Sequence, residues 1–252
     1  MIFTDIKNGR FYNEDCFDAM REIPDGVIDM VLCDLPYGTT DCKWDTIIPF
    51  DKLWAEYWRI TKENAAIVLT ASQPFTTALI SSQINNFRYS LVWEKERPSN
   101  PLLANKQIMK YHEDICIFYR SQCIYNPQLR KREEKNKRKN APRQFKSAVL
   151  GENSQEYLDM NQSGENDWIK PTSIIKIPME RGLHPTQKPV ALFEYLIKTY
   201  TNEAELVLDN TAGSGTTAIA AINTNRKWVC IEKDETYYGK AIERISGHVV
   251  TA

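Results

Sequence analysis

Residues Leu206–Thr217 have the sequence LVLDNTAGSGTT, an apolar strand followed by a glycine-containing turn and the start of a helix. Gly213 and Gly215 allow a tight turn and let a ligand approach the backbone closely. The next predicted strand ends in Glu232, a carboxylate that can bind ribose hydroxyls. The third glycine of the dinucleotide fingerprint is missing, and no Gly-Lys-Ser/Thr follows, which excludes a P-loop. The segment predicts a nucleotide-cofactor site, with a plain strand-to-helix turn as the alternative.

Strand signals and helix signals alternate on both sides of the middle of the chain. This alternation favours an α/β fold with a doubly wound, mostly parallel, Rossmann-like sheet. Ligands of such sheets bind at the carboxyl ends of strands, so the strand-closing acids Asp34, Asp209 and Glu232 are the first candidate site residues. The predicted strands are 27–34, 65–71, 89–94, 114–119, 206–209 and 228–232, and the predicted helices are 49–61, 75–84, 189–200, 216–223 and 235–245.

The composition is that of a globular protein, with 42% hydrophobic and 26% charged residues among 252. No run of 18 apolar residues predicts a transmembrane helix, and the first ten residues lack the apolar region of a signal peptide. We therefore expect a cytoplasmic protein with no membrane partner. The six cysteines form no Cys-x-x-Cys pair, so we expect no metal site and small, buried, reduced thiols.

Charge is unevenly distributed although the formal net charge is only −1. Residues 130–146 contain nine basic and two acidic side chains, a local charge of +7, so the remainder carries about −8. Such a segment gives salt-sensitive affinity for phosphates when it lies along duplex DNA, and is otherwise a solvated charge run. We interpret residues 97–183 as an insertion between one half at 1–96 and another at 184–252.

Asp34-Leu-Pro-Tyr-Gly38 closes the first strand predicted in the N-terminal half. A carboxylate and a backbone carbonyl can accept the two N–H bonds of an exocyclic amino group, which exposes the nitrogen lone pair. Pro36 holds the turn rigid, and Tyr37 offers a face on which an extruded base can stack. The segment favours chemistry at an exocyclic amine, with a strand end and a proline turn as the alternative.

Taken together, these segments resemble the β group of the DNA amino-methyltransferases, which use S-adenosylmethionine. The resemblance covers nearly the whole chain: the catalytic motif comes first, a target-recognition region lies in the middle and the cofactor motif comes last. It is carried by Asn13–Phe17 (NEDCF), Asp34–Tyr37 (DLPY), Tyr111–Ile115 (YHEDI), His184–Pro189 (HPTQKP) and Ala212–Thr217 (AGSGTT).

The resemblance implies catalytic roles for one short segment. Asp34 and the carbonyls of Leu35 and Pro36 would hold the target amino group, and Tyr37 would stack on the flipped base. Leu35 replaces the usual proline of the family, and only its carbonyl should matter chemically. An acid at position 34 favours adenine N6, because cytosine N4 enzymes more often have Ser there.

The resemblance also implies a cofactor site and a DNA-binding segment. Asp15 would contact the adenine of the cofactor, Glu232 the ribose hydroxyls, and Lys188 the methionine carboxylate. Asn210-Thr211 replaces the common Pro-Phe of the family, which is expected to change how the adenosine packs. The cofactor set comprises Asp15, Cys16, Asp34, Thr186, Gln187, Lys188, Asp209, Asn210, Ala212, Gly213, Ser214, Gly215, Thr216, Thr217 and Glu232. The DNA-binding set comprises Arg130, Lys131, Arg132, Lys135, Lys137, Arg138, Lys139 and Arg143.

These observations predict a site-specific adenine-N6 methyltransferase of duplex DNA, of the kind found in restriction–modification systems. The alternatives are a cytosine-N4 enzyme of the same architecture, an inactive DNA-binding relative, and an RNA or protein-glutamine methyltransferase. The chain lacks a cysteine nucleophile after a proline, which argues against cytosine C5 chemistry. Besides double-stranded DNA, a second copy of the chain and a cognate restriction endonuclease are partners that the resemblance allows.

Overall fold

The structure is a computed structural model that describes residues 2–39, 45–131, 168–180 and 187–251, and the chain divides into two compact units. The larger unit comprises Met1–Asn126 and Ser173–Ala252, and the smaller comprises Pro127–Thr172. Within the described residues, the larger unit contains a nine-stranded sheet. Its strands are β1 Ile2–Ile6, β2 Gly9–Asn13, β3 Ile28–Asp34, β4 Thr61–Ala71, β5 Phe87–Glu94, β6 His112–Phe118, β9 Ile174–Lys176, β10 Leu206–Asp209 and β11 Lys227–Glu232. In the smaller unit, β7 Arg130–Lys131 pairs antiparallel with β8 Trp168–Ile169.

The strand order of the sheet is β1-β2-β11-β10-β3-β4-β6-β5-β9. The five strands from β2 to β4 in this order are parallel neighbours, and β6 and β1 add antiparallel pairings on either side. Parallel strands are covered on both faces, which explains the continuous apolar run of β3. The predicted α/β class with a mostly parallel sheet is confirmed.

Six α-helices lie in the described residues of the larger unit. They are α1 Cys16–Arg21, α2 Phe50–Ile60, α3 Phe75–Ser82, α4 Val190–Tyr200, α5 Thr216–Asn223 and α6 Glu235–Thr251. In α2 the buried side chains are Leu53, Trp54, Tyr57 and Ile60, whose spacing places them on one side of a helix. Amphipathic helices of this kind are stable because their apolar side packs on the sheet.

Two buried clusters cover the two faces of the sheet, as a doubly wound fold requires. Met30 and Leu32 of β3 belong to the cluster that includes side chains of α4, α5 and α6. Val31 and Cys33 belong to the other cluster, which includes side chains of α1, α2 and α3. Successive residues of a strand point to opposite faces, so β3 contributes to both cores.

The N-terminal hairpin of β1 and β2 is absent from the sequence-based prediction. Its two strands pair through a two-residue turn, Lys7-Asn8, with Lys7 at a φ of 54°. Gly9 follows this turn, and a Cβ there would lie 2.1 Å from the ring of Trp228, so only glycine fits against the indole. The Asn8-Gly9 dipeptide was the available signal for this hairpin.

The predicted insertion at 97–183 overlaps the main sheet at two places. Strand β6 pairs with β4 and β5, and β9 pairs with β5. The smaller unit, Pro127–Thr172, has narrower limits than the predicted insertion at 97–183. Among the described residues, no helix is long and apolar enough to cross a membrane.

Candidate functional site

Three neighbouring parallel strands bring the predicted acids to one edge of the sheet. Asp34 ends β3, Asp209 ends β10 and Glu232 ends β11, and β10 lies between the other two. All three acids line a cavity of about 910 Å³. The volume and the position at the carboxyl ends of parallel strands are typical of a small-molecule site. The structure therefore brings the three predicted acids together at one cavity.

The glycine loop forms the wall of this cavity between β10 and α5. Gly213 and Gly215 have φ angles of +50° and +76°, a left-handed backbone that favours glycine. A Cβ on Gly213 would meet open space, whereas a Cβ on Gly215 would lie 2.9 Å from Cδ1 of Ile245. Gly213 thus leaves room on the cavity side, and Gly215 allows α6 to pack closely behind the loop.

Glu232 holds the glycine loop through backbone hydrogen bonds. Its Oε2 accepts from the N–H of Gly213 at 2.8 Å, and its Oε1 accepts from the N–H of Asp234 at 2.8 Å. Burial raises the pKa of Glu232, although these backbone donors oppose the shift. Each carboxylate oxygen retains a further lone pair, so Glu232 can still accept a hydrogen bond from a ligand hydroxyl.

Asp209 is buried beneath the same loop. Its Oδ1 accepts from the N–H of Thr211 at 3.0 Å, and its Oδ2 accepts a short hydrogen bond from the hydroxyl of Thr217. Burial raises the pKa of Asp209 to about 7, because few polar partners replace the lost water. Asp209 therefore stabilises the turn and has a proton affinity unusual for a carboxyl group.

Asp34 has partners on both carboxylate oxygens. Oδ1 accepts from the hydroxyl of Tyr37 at 2.8 Å and from that of Thr70 at 2.5 Å. Oδ2 accepts from Nζ of Lys188 at 2.5 Å. The hydroxyl of Thr211 donates to the backbone carbonyl of Asp34 at 3.1 Å, which connects the end of β3 to the glycine loop. These contacts fix the carboxylate at the cavity wall.

Tyr37 lies against a second aromatic ring. Its ring stacks on Phe75 of α3 with centroids 5.1 Å apart and an interplanar angle of 28°. Burial, followed by the nearby carboxylates of Asp34 and Glu113, raises the pKa of the Tyr37 hydroxyl, which therefore stays protonated and donates. The stack and the hydroxyl contacts give the tyrosine a defined orientation within the cavity.

A turn after the Asp34–Tyr37 segment is held by Asp45. Its two carboxylate oxygens accept from the backbone N–H groups of Gly38 and Thr39, each at 2.8 Å. Gly38 has a φ of +66°, so this turn also uses the left-handed region. The Asp34–Tyr37 segment is thereby anchored at both ends.

A family model and a curated relative each match most of the chain. The family model described as DNA methylase, for N6 and N4 methyltransferases, matches residues 28–243. The chain belongs to this DNA methylase family. The type II methyltransferase M2.MboI of Moraxella bovis is 25% identical to this methylase over 255 residues, which cover 92% of this chain and 85% of the relative.

Several solved structures have a similar fold. The complex of M1.HpyAVI with SAM has a TM-score of 0.62 and 21% identity, and covers 94% of this methylase and 99% of the other chain. The cytosine-N4-specific PvuII DNA methyltransferase has a TM-score of 0.64 and 14% identity, with 96% and 91% covered. At these identities the likeness establishes the fold, and the predicted membership in the amino-methyltransferase family rests on the family match.

Most of the predicted catalytic and cofactor residues of the methylase line the cavity. Gly215 and Thr217 do not: Gly215 packs against Ile245, and Thr217 binds Asp209. Thr186 lies outside the described residues, as do His184 and Pro185. The lining residues from the predicted set are Asp15, Cys16, Asp34, Leu35, Pro36, Tyr37, Gln187, Lys188, Asp209, Asn210, Ala212, Gly213, Ser214, Thr216 and Glu232.

The predicted DNA-binding set falls mainly where the structure gives no description. Arg130 and Lys131 form β7 of the smaller unit, and both are exposed. The other six, Arg132, Lys135, Lys137, Arg138, Lys139 and Arg143, lie outside the described residues. Their role in binding DNA stays a prediction.

Two predicted features of the cysteines can be compared with the methylase structure. Cys33, Cys116, Cys123 and Cys230 are buried, and Cys16 is partly buried; all five are free thiols. Burial raises the pKa of Cys16 to about 11, so this cavity-lining thiol is protonated and weakly nucleophilic at neutral pH. In the described parts of the chain, no cluster of side chains is suited to hold a metal ion.

The sequence-based reasoning missed several residues that surround the carboxylate of Asp34. Thr70 of β4 pairs with Asp34 of β3, and the ring of Phe75 stacks on Tyr37. Glu113 forms ion pairs with Lys188 and with Lys95. Glu113 lies in the YHEDI segment that carries the resemblance, but it had no assigned role. A glutamate at the start of an apolar strand was the one available signal in the sequence.

Proposed function

We propose that this methylase transfers a methyl group from S-adenosylmethionine to N6 of adenine in duplex DNA. S-adenosylmethionine is the methyl donor of the family to which the chain belongs. The observation that supports the proposal most directly is the carboxylate of Asp34, held at the wall of the cavity next to the glycine loop. An acid in this position can accept an N–H of an exocyclic amine.

The cavity fits the proposed donor in size and in chemistry. Its volume of about 910 Å³ lies within the range of cofactor sites. Open space at Gly213 allows close approach to the backbone, and Asp15 and Glu232 provide carboxylates for amine and hydroxyl groups. When bound, S-adenosylmethionine supplies an electrophilic methyl group on a sulfonium.

Residues of the Asp34–Tyr37 segment would prepare the target nitrogen. The amine lone pair is delocalised into the base, so the nitrogen becomes nucleophilic only when its N–H bonds are drawn out of the ring plane. Asp34 and the carbonyls of Leu35 and Pro36 would accept those N–H bonds, and Tyr37 would stack on the extruded base. These groups act by positioning and by compensating charge at the nitrogen.

The DNA substrate finds support in one described segment near the cavity. Residues 97–111 contain Arg97, Lys106 and Lys110 and no acid, while Ser99 of this segment lines the cavity. Leu102 and Ile108 are 96% and 94% exposed, which is unusual for large apolar side chains. A basic segment with protruding apolar side chains suits a duplex whose bases have to be separated locally.

Cytosine N4 is the second candidate target. The cytosine-N4-specific PvuII enzyme has a similar fold, so the architecture serves that chemistry too. Asp34, rather than the serine more frequent in the cytosine enzymes, is the reason for preferring adenine. Adenine specificity, base flipping, a cytoplasmic location, a second copy of the chain and a cognate restriction endonuclease are all part of this proposal.

Methylation of unmodified duplex DNA with labelled S-adenosylmethionine tests the proposal. After digestion to nucleosides, we expect the label in N6-methyladenine. Label in N4-methylcytosine would assign the second candidate, and DNA binding without any methylation would indicate an inactive relative. Asp34→Ala should abolish transfer and preserve DNA affinity, whereas Asp51→Ala, which removes an exposed carboxylate of α2, should change neither.

A further inference from the structure

A row of four alternating charges runs inward from the catalytic carboxylate. Nζ of Lys188 lies 2.5 Å from Oδ2 of Asp34 and 3.3 Å from Oε2 of Glu113, and Oε1 of Glu113 contacts Nζ of Lys95. The four side chains come from separate segments: the end of β3, the residue after β5, β6, and the segment before α4. They meet because Trp93 of β5 pairs with Glu113 of β6, which places Lys95 beside the same strand end.

Three members of this row are shielded from water, and the side chain of Glu113 is only 12% exposed. Lys188 is 5% exposed and Lys95 is 8% exposed. Burial opposes the charged form of Lys188, but Asp34 and Glu113 together raise its pKa. Burial likewise opposes the charge on Glu113, and Lys188 and Lys95 lower its pKa. Lys188 and Glu113 are therefore both stabilised in their charged forms. The row pairs two carboxylates with two ammonium groups, so its formal charges sum to zero.

The row leaves Asp34 with limited capacity to bind a substrate. A carboxylate has about four acceptor positions. The hydroxyls of Tyr37 and Thr70 crowd Oδ1, and Lys188 occupies one position on Oδ2. The remaining position is on Oδ2, so a target amine bound there lies next to the ammonium of Lys188.

The positive charge of Lys188 lies beside the bound amine, and Glu113 can compensate this charge. As the amine lone pair forms the new N–C bond and the carbon–sulfur bond breaks, positive charge develops on the nitrogen. An uncompensated ammonium beside it would oppose that charge in a water-poor site. Glu113 supplies the compensating negative charge from the far side of Lys188.

We propose that Glu113 is a positioning residue of the methyl transfer, which holds Lys188 against Oδ2 of Asp34 and cancels the charge of that lysine. Lys188 is then the counter-ion of the catalytic carboxylate, in place of the predicted role at the methionine carboxylate. The inference rests on the proposed function, because it concerns the amine that Asp34 binds. Lys95 lies at the end of the row opposite Asp34, and its ammonium group helps to keep Glu113 ionised.

Removal of one charge and then of its partner tests the proposal. Glu113→Gln keeps the side-chain shape and leaves the row with one excess positive charge. We expect kcat to fall at least about thirtyfold, with the KM for DNA and the calorimetric affinity for S-adenosylmethionine within about twofold of wild type. Adding Lys95→Met removes the excess charge, so the Lys95→Met/Glu113→Gln chain should recover at least about fivefold in kcat.

A merely structural role predicts the opposite pattern. Two substitutions would then disturb the site more than one, and the double variant would have a lower kcat than Glu113→Gln. Lys95→Met alone is the matched control for the second substitution of the double variant. Thermal unfolding of each variant shows whether that variant is folded. If Glu113→Gln does not fold, near-wild-type kcat in the double variant supports the proposal, and a kcat as low as about one thirtieth of wild type overturns it.

The wild-type chain in the same assay separates this inference from the proposed function. Methylation of adenine by the wild type, combined with an unchanged kcat in Glu113→Gln or a loss confined to KM, overturns the role of Glu113 alone. Methylation of cytosine N4 overturns the proposed base and leaves the comparison of variants valid. Absence of methylation by a folded, donor-binding wild type overturns both.

Discussion

The two carboxylate oxygens of Asp34 have different partners, and this asymmetry decides which substitutions are informative. Two hydroxyls bind Oδ1, and a lysine binds Oδ2. A hydroxyl can be removed without changing the local charge, whereas loss of the lysine leaves a carboxylate without its counter-ion. Hydroxyl deletions are therefore the milder probes of how firmly Asp34 has to be held.

Thr70→Val deletes one hydroxyl and preserves the shape of a fully buried side chain. We expect kcat to fall about tenfold, with little change in the KM for DNA, because Asp34 loses a donor that fixes its orientation. Steady-state methylation of duplex DNA measures both constants. Thr224→Val is the matched control, since its buried hydroxyl binds only backbone carbonyls at the end of α5. Equal effects of the two variants on kcat would contradict the prediction.

Asp209 gives a prediction for the pH dependence of stability. Its pKa is about 7 in the folded chain against an ordinary value of 3.8, so the folded chain retains a proton that the unfolded chain releases. Stability from this group is present below pH 3.8 and is lost as the pH rises toward 7. Asp209→Asn removes the titration, so between pH 5 and pH 8 wild type should lose roughly 3 kcal/mol relative to the variant. Urea unfolding at both pH values measures this change, and a constant difference would refute it.

At the residue scale, the sequence allowed prediction of those site residues that lie within a short motif. Asp34, Tyr37 and the glycines lie in segments whose residue types point directly to their chemistry. The contact of Lys188 with Asp34 joins residues 154 positions apart and depends on how α4 begins beside the sheet. Glu113 and Lys95 come together only through the pairing of β5 with β6, so no local pattern could have placed them in the site.

The glycine loop makes a prediction at the scale of an element. Gly215→Ala combines a φ of +76° with a clash against Ile245, so we expect a loss of about 1–3 kcal/mol in unfolding free energy. Gly213→Ala meets no neighbour and should cost stability less, but its methyl group enters cavity space and should weaken donor binding about tenfold or more. Urea unfolding and calorimetric titration with S-adenosylmethionine distinguish the two. Similar profiles for both variants would contradict the assignment of one glycine to packing and the other to the ligand.

At the scale of single elements, the predicted limits of a strand or helix match the structure where its residues are mainly apolar. The strand 206–209 and the helix 216–223 have the predicted limits, because their buried side chains are continuous or periodic. Strand β4 begins at Thr61, four residues earlier than predicted, because Lys62, Glu63 and Asn64 are exposed and polar. The β1–β2 hairpin was missed because no residue of β1 is buried, and because its position depends on Trp228, which is distant in sequence.

Charge distribution gives a prediction at the scale of the whole molecule. If the basic segment at 130–146 contacts DNA phosphates, replacing Lys137, Arg138 and Lys139 by Gln should weaken duplex binding at low salt. The slope of log affinity against log salt concentration should decrease by about 0.9 for each phosphate that the variant no longer neutralises. A control with Gln at the exposed Lys52, Lys198 and Lys227 changes the net charge equally and should keep the wild-type slope. Equal slopes for the two triple variants would place the DNA-binding surface elsewhere.

The order of the functional segments along the chain differs from their order in space. Strand β3, which leads into the Asp34–Tyr37 segment, and strand β10, which leads into the glycine loop, are hydrogen-bonded neighbours. The hydrogen bond from Thr211 to the carbonyl of Asp34 accordingly joins residues 177 positions apart in sequence. Sequence reasoning could assign the two halves, and the pairing of β3 with β10 explains how they form one cavity. The remaining long-range contacts, such as those of β9 with β5, required the folded chain.

The hairpin at the start of the chain also contacts the helix at its end. The hydroxyls of Thr4 in β1 and Tyr238 in α6 are 2.7 Å apart, so the first and last elements are adjacent. Tyr238 lies in the first turn of α6, so a linker that runs back along this helix could join it to β1. With a new opening in the central segment, this would give a circularly permuted gene in which the glycine loop precedes the Asp34–Tyr37 segment. The sheet and the cavity would keep the same neighbours. Evolution could therefore have exchanged the order of these motifs in related enzymes without rebuilding the fold.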